Sequence, residues 1–242
     1  MPVCARGDCH DVEGEAGTEW WTSPCWLQIS CIDLTQAVLR GRLGRHLPMS
    51  AFDPLRAYLE TKAPFTSREL DALERLFIPA ALRPGEFLQC AGEPMRHAAF
   101  VAKGCLRSYV IDATGAEVVL EFAPENWWIG DRTFLTGGTT CECFIDSVGH
   151  SDLLLFDQPS HQKMVECVPT FAAMFRVAFQ KYAAAKDRRI INALSMSVEE
   201  RYLDFLKTYP AIARQVPQRM LASYLGVSPE TLSRVRKQLS RK

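Results

Sequence analysis

The stretch Val216-Pro217-Gln218-Arg219-Met220-Leu221-Ala222-Ser223-Tyr224-Leu225-Gly226-Val227-Ser228-Pro229-Glu230-Thr231-Leu232-Ser233-Arg234-Val235-Arg236-Lys237-Gln238-Leu239 holds two short helical periods broken at one glycine. Pro217 suits the first turn of a helix, where a missing N–H costs nothing. Met220, Leu221 and Leu225 give that helix an apolar face, and Ala222 lets a second helix approach closely. Gly226 falls where a left-handed residue ends a helix. Val227 plugs the turn, Ser228 reads as an N-cap, Pro229 as the first helical residue and Glu230 as a first-turn acid. Leu232, Val235 and Leu239 then face inward, which leaves Glu230, Ser233, Arg234 and Lys237 toward solvent. This is the pattern of a helix-turn-helix.

A short basic helix capped in this way fits a DNA major groove. Arg234 is placed to donate to guanine, Glu230 to accept from cytosine, and Ser233 lies between them. Ser228, Thr231 and Lys237 are assigned to phosphate, which positions the helix without reading sequence. The plainer alternative is a helical hairpin with a solvated basic face. Charge distribution favours DNA. The 28 basic and 28 acidic residues sum to zero, yet residues 186–242 carry twelve cations against five acids, a net +7, and residues 1–185 carry −7. A basic tail on an acidic body is what docking on phosphates requires.

N-terminal to this unit, Ser197 reads as the cap of a helix that ends at Tyr209-Pro210. Before it, Phe171, Phe175, Ala178, Tyr182, Ala185, Arg189, Asn192 and Met196 step alternately by four and three. That heptad seam suits a helix packing on a copy of itself, with Arg189 and Asn192 fixing register. The competing reading is a helix that covers the rest of its own chain. From about residue 80 to 157 the period is two. Runs at Phe87–Cys90, Ala98–Val101, Cys105–Ile111, Val118–Phe122, Phe144–Val148 and Asp152–Phe156 are separated by Gly and Pro turns, which indicates a closed antiparallel sandwich or barrel. Thr66-Ser67-Arg68-Glu69 is a candidate capping box ahead of Leu70, Leu73 and Leu76.

Residues 1–48 have no sustained period, and Met49-Ser50-Ala51-Phe52-Asp53-Pro54 reads like a fresh start, so 1–48 is expected to be an extension. The N-terminus lacks the pattern of a secretory signal, and no apolar run approaches the 18 or so residues of a membrane span, which points to a soluble cytoplasmic protein. The odd count of nine cysteines, without Cys-x-x-Cys, disfavours a disulfide scaffold. Cys4, Cys9, Cys25 and Cys31 are loosely spaced for a zinc or iron–sulfur site, and Cys141-Glu142-Cys143 alternates so that both sulfurs share one face. No cofactor and no metal site is called for. A cupin-type enzyme, another small β-barrel, needs a His-x-His set, and the strand region offers only His97 and His150.

The order of helix start, glycine-punctuated strands, long heptad helix and helix-turn-helix resembles the Crp/Fnr family of bacterial transcription regulators. Gly92-Glu93-Pro94, Val101-Ala102-Lys103-Gly104-Cys105-Leu106-Arg107, Trp128-Ile129-Gly130-Asp131 and the helix-turn-helix carry the resemblance, which covers 49–242. It implies an α+β fold: an N-terminal antiparallel β-roll or jelly roll at 49–169, a dimerisation helix at 170–196 with Phe171, Phe175, Ala178, Tyr182 and Ala185 in its seam, and a winged helix-turn-helix at 197–242. The wing would come from beyond Leu239 or from 207–216. Implied partners are double-stranded DNA, a second copy of the chain, RNA polymerase and a small-molecule effector, with no membrane and no enzymatic activity. Nucleotide-binding members carry Gly-Glu followed by Arg-Ser/Thr-Ala for ribose and cyclic phosphate. Here Gly130-Asp131 fills the first part, while Cys141-Glu142-Cys143 fills the second without an arginine. An anion would meet Glu142, so tight binding of cyclic AMP is not expected. Arg107 or Arg132 would have to compensate, making Gly130, Asp131, Arg132 and Arg107 the candidate effector pocket. A non-nucleotide ligand or an iron–sulfur cluster on the N-terminal cysteines are the alternatives, although the cysteine spacing departs from that of the oxygen-sensing branch. Glu230, Ser233 and Arg234 match the Glu-x-x-Ser-Arg of the Fnr-like branch. Pro229 stands where the cyclic-AMP-receptor branch has an arginine, so one guanine contact should be missing.

Overall fold

Ser151 and the carbonyl of His150 lie so near Gly104 that an added Cβ would sit 2.4–2.5 Å from them, and the glycine has φ +92°. Only glycine fits that turn, where the chain leaves one sheet and enters the other. The computed structural model describes residues 51–131, 134 and 140–240. The extension, its four cysteines and Arg132 lie outside the described residues.

Two short helices come first, α1 (Asp53–Lys62) and α2 (Ser67–Glu74). The expected capping box at Thr66 and Glu69 is formed in both directions. Eight strands follow: β1 (Ile78–Leu82), β2 (Phe87–Gln89), β3 (Ala98–Lys103), β4 (Cys105–Ile111), β5 (Glu117–Pro124), β6 (Trp127–Ile129), β7 (Phe144–Ser147) and β8 (Ser151–Phe156). They form two antiparallel sheets of four, ordered β1-β8-β3-β6 and β2-β7-β4-β5. The chain ends in helices α3 (Gln158–Cys167), α4 (Pro169–Ser195), α5 (Val198–Thr208), α6 (Pro210–Gln215), α7 (Gln218–Tyr224) and α8 (Pro229–Leu239). Among the described helices none is long and apolar enough to cross a membrane.

The first sheet is buried on both faces, which is why β3 and β8 read as nearly uncharged runs. Ala99, Val101, Leu153 and Leu155 point between the sheets, where Leu106, Ile145, Cys141 and Cys143 meet them. Phe100, Leu154 and Phe156 point outward against Leu55 and Leu59 of α1, Leu73 of α2, Met164 of α3 and Phe171 of α4. The outer face of the second sheet is covered by the C-terminal helices: Tyr109, Val119 and Phe122 pack with Tyr202, Phe205, Leu221, Ala222 and Leu232.

Three differences from the sequence reading have physical causes. The stripe Phe171, Phe175, Ala178, Tyr182 and Ala185 is turned toward the chain's own roll. Phe171 is fully buried in the core, Phe175 packs against it, and Ala178, Tyr182 and Ala185 are all partly covered. Aromatics at heptad spacing satisfy a sheet as well as they satisfy a helix. Residues 207–216, one candidate source of a wing, hold the end of α5 and the whole of α6 and contain no strand. Strand β1, which the period-two runs did not include, contains Pro79. It lies at a sheet edge, where a missing donor is tolerated.

Candidate effector pocket and nucleic-acid interface

A cavity of about 1270 Å³ lies between α1, β6 and α4. Its walls are mainly apolar, with Tyr58, Trp128, Phe134, Met174 and Tyr182 among them, and Asp131 contributes a carboxylate. The Tyr182 hydroxyl donates to Glu121, and both burial and that carboxylate push the phenol's pKa up. Asp131 follows β6, and Cys141 and Cys143 precede β7. The fold brings the two halves of the degenerate cassette together: the Cys141 and Cys143 sulfurs lie 3.4 and 3.5 Å from Asp131 Oδ2 and 3.4 Å from each other. Both thiols are buried, as a shared face predicts, whereas Glu142 between them is exposed. An anion at this place would therefore face two thiols and the Asp131 carboxylate; Glu142 is turned away. Gly130 is confined by Ala98, whose Cβ would stand 3.0 Å from an added one.

Arg107 does not belong to this pocket. Leu106 points between the sheets, so its neighbour Arg107 points to the other side of β4. There it is only 4% exposed and holds Asp146 of β7 through two hydrogen bonds of 2.8 and 2.9 Å, with Glu117 at 2.5 Å. Its guanidinium also lies 4.2 Å from the centre of the Tyr109 ring. Burial works against its charge, but the bonds and charges of Asp146 and Glu117 more than offset that and hold its pKa above the ordinary value. Its expected role as an anion ligand is corrected to that of a structural ion cluster. The sequence contained a usable sign of this, since Arg107 and Asp146 are isolated opposite charges in otherwise apolar or neutral runs, and they pair directly across strands.

At the C-terminal end, α7 and α8 meet through Gly226 at φ +69°. Ser228 caps α8 by accepting from the Thr231 N–H at 3.2 Å. Leu232 is fully buried and Val235 and Leu239 pack against the same cluster, so Glu230, Ser233, Arg234 and Lys237 are left together on the exposed side. Arg234 reaches back to the Thr231 hydroxyl at 3.2 Å. The backbone at the helix start and the Ser228 hydroxyl hold the Glu230 carboxyl below the usual range, so it is an acceptor at neutral pH.

Two residues that the helix-turn-helix reading passed over tie α7 to the roll. Ser223 donates to the Glu117 carbonyl at 2.7 Å and accepts from the Val119 N–H at 2.9 Å, satisfying the open edge of β5. Arg189 of α4, expected in a seam, donates to the carbonyls of Val119 (2.9 Å), Leu120 and Tyr224 (2.8 Å) and lies over the Tyr224 ring. Burial lowers its pKa.

Residues 79–166 match the family model described as cyclic nucleotide-binding domain. The chain thus carries a jelly roll of the cyclic nucleotide-binding type followed by a long helix. Its fold is that of Crp/Fnr-family regulators. The global regulator CLP of Xanthomonas campestris, described as responsive to c-di-GMP, is 15% identical with a TM-score of 0.61, over 73% of this chain and 92% of that one. FixK2 of Bradyrhizobium japonicum is 19% identical with a TM-score of 0.58, over 68% and 85%. A protein of Eubacterium rectale described as a regulator of the Crp/Fnr family is 14% identical with a TM-score of 0.56, over 73% and 84%. No curated protein matches the chain.

Proposed function

We propose that this chain is a cytoplasmic transcription regulator, not an enzyme, that binds palindromic DNA as a dimer. In this reading 49–169 is the effector domain, 170–196 the dimerisation helix and 197–242 the DNA-binding domain. The observation that carries the reading is the exposed row Glu230, Ser233, Arg234 and Lys237 on a capped helix after a glycine turn, in a tail of net +7. Glu230, Ser233 and Arg234 read base edges, and Ser228, Thr231 and Lys237 hold phosphates. A second copy supplies the other half-site. It docks on the side of α4 that the roll leaves open, where Val177, Phe179, Ile190, Ile191 and Leu194 are exposed, Leu194 to 85%.

Selection of bound DNA from a random pool, with and without cell metabolites, tests the reading. It should yield an inverted repeat, and Arg234→Ala should lose about 1–3 kcal/mol of discrimination at one base position of it. An unselective pool, or a variant footprint identical to that of the parent, would sink the proposal. Tight binding of cyclic AMP is not expected: the cassette offers two thiols and a carboxylate to a phosphate, and Arg107 is committed elsewhere. Titration calorimetry with cyclic AMP should show no binding at micromolar concentration.

A further inference from the structure

The place that takes a cyclic phosphate in nucleotide-binding rolls of this type here presents three ligand atoms of another kind. Two sulfurs and one carboxylate oxygen, all within 4.8 Å of one another, converge from two separate segments of the chain. Cys141 and Cys143 are 1% and 6% exposed, and both sulfurs aim at the same oxygen of Asp131. The geometry points to a site for a thiophilic divalent cation of the zinc class, held by Cys141 Sγ, Cys143 Sγ and Asp131 Oδ2.

The distances are near those such a site needs. Around a tetrahedral zinc, bonds of about 2.3 Å to sulfur and about 2.0–2.2 Å to oxygen put sulfur and oxygen about 3.5 Å apart, and two sulfurs about 3.8 Å apart. The sulfur–oxygen separations here are 3.4 and 3.5 Å. The sulfurs, at 3.4 Å, need to part by about 0.4 Å. The surrounding backbone holds the ligands in place: Cys141 N–H donates to the Glu93 carbonyl at 3.0 Å, its carbonyl accepts from Gly92 N–H at 2.8 Å, and the Gln89 amide ties down the Cys90 and Glu93 carbonyls. Such outer support fixes first ligands against reorganisation. Asp131 also lines the large cavity, which provides an entry path and a fourth position for water or a small molecule.

As an effector site this rests on the regulator reading, so cation binding is measured without DNA. Full-length, reduced, metal-free protein is titrated anaerobically with Co²⁺. One equivalent should give an intense near-ultraviolet thiolate-to-metal band that Zn²⁺ abolishes by displacement. Cys141→Ser and Cys143→Ser should lose the band, and Asp131→Asn should weaken Co²⁺ at least about tenfold, the cost of disturbing even outer ligands. Cys105→Ser and a variant with Ser at 4, 9, 25 and 31 should keep it. Unchanged far-ultraviolet dichroism of each metal-free variant shows that a lost band is not a lost fold. No band in the parent, or a band that survives Cys143→Ser, overturns the site. Zn²⁺ that binds but leaves affinity for the selected operator unchanged overturns the effector role alone. A tenfold change that vanishes in Cys143→Ser supports it.

Discussion

A guanidinium on a buried strand has to find its partners within the protein, and Arg107 finds them in Asp146 and Glu117. The two contacts are not equal. Asp146 is 7% exposed at its side chain, whereas Glu117 is 48% exposed. Arg107→Ala would strand a buried carboxylate and should lower stability by about 3–5 kcal/mol in urea unfolding. Glu117→Ala should cost under about 1 kcal/mol, since its carboxylate is half in water. Arg107→Met with Asp146→Leu should recover most of the loss; if it does not, the cluster is stabilising in itself. The sequence made Arg107 a plausible anion ligand because it lies in a motif of the roll. One residue of strand parity separates that role from the real one. Parity also explains what was legible at Cys141 and Cys143, where alternation places both sulfurs on one face. What alternation left out was Asp131, ten residues away, which only the chain path brings beside them.

The elements themselves were mostly readable where a short-range pattern determines them. Cys105–Ile111 is strand β4 without adjustment, the capping box at Thr66 and Glu69 forms as expected, and Ser197 caps α5, where Glu200 adds a second box that the sequence reading did not name. The misses are elements set by tertiary context: β6 is three residues long, and α3 follows β8 after a single residue, with Asp157 as its cap. Helix α4 shows the deeper limit. Period alone cannot say which partner a stripe meets. The stripe from Phe171 to Arg189 packs on the roll, and the opposite side carries Val177, Ala184 and Ile191 at steps of seven, with Leu194 three further on. The two stripes therefore predict different variants. If the proposed dimer forms through this side, Ile191→Glu with Leu194→Glu should give monomers in sedimentation velocity and leave the melting of the roll near the parent's, because both side chains are exposed. Phe171→Ala should cost about 3–5 kcal/mol through the cavity it leaves. A charged double variant that stays dimeric would place the contact elsewhere.

At the scale of the whole molecule, the zero net charge is a −7 part joined to a +7 part, and the joint is specific. The described residues all fall in one compact unit, in which helices α5 to α8 rest on the outer sheet of the roll. Apolar packing supplies the area, but it is not directional; Ser223 and Arg189 fix the position. Ser223 takes the donor and the acceptor that edge strand β5 would otherwise expose, and Arg189 gathers carbonyls from β5 and from the last residue of α7. Arg189 forms no ion pair among the described residues, so its buried charge is compensated by carbonyl dipoles and the Tyr224 ring. Removing it leaves three carbonyls short of a donor. Arg189→Met, which keeps the stem and the contact with Tyr224, should lower stability by about 2 kcal/mol, the range for a hydrogen-bonded charged group. Because the loss falls at the joint, it should appear first as local opening. Limited proteolysis should cut within 208–217, and the Val119 amide should exchange faster, while amides at the centre of β3 stay protected. Ser223→Ala should do the same more weakly, about 1 kcal/mol. If Arg189→Met instead exposes β3 and β5 together, roll and tail unfold as one cooperative unit.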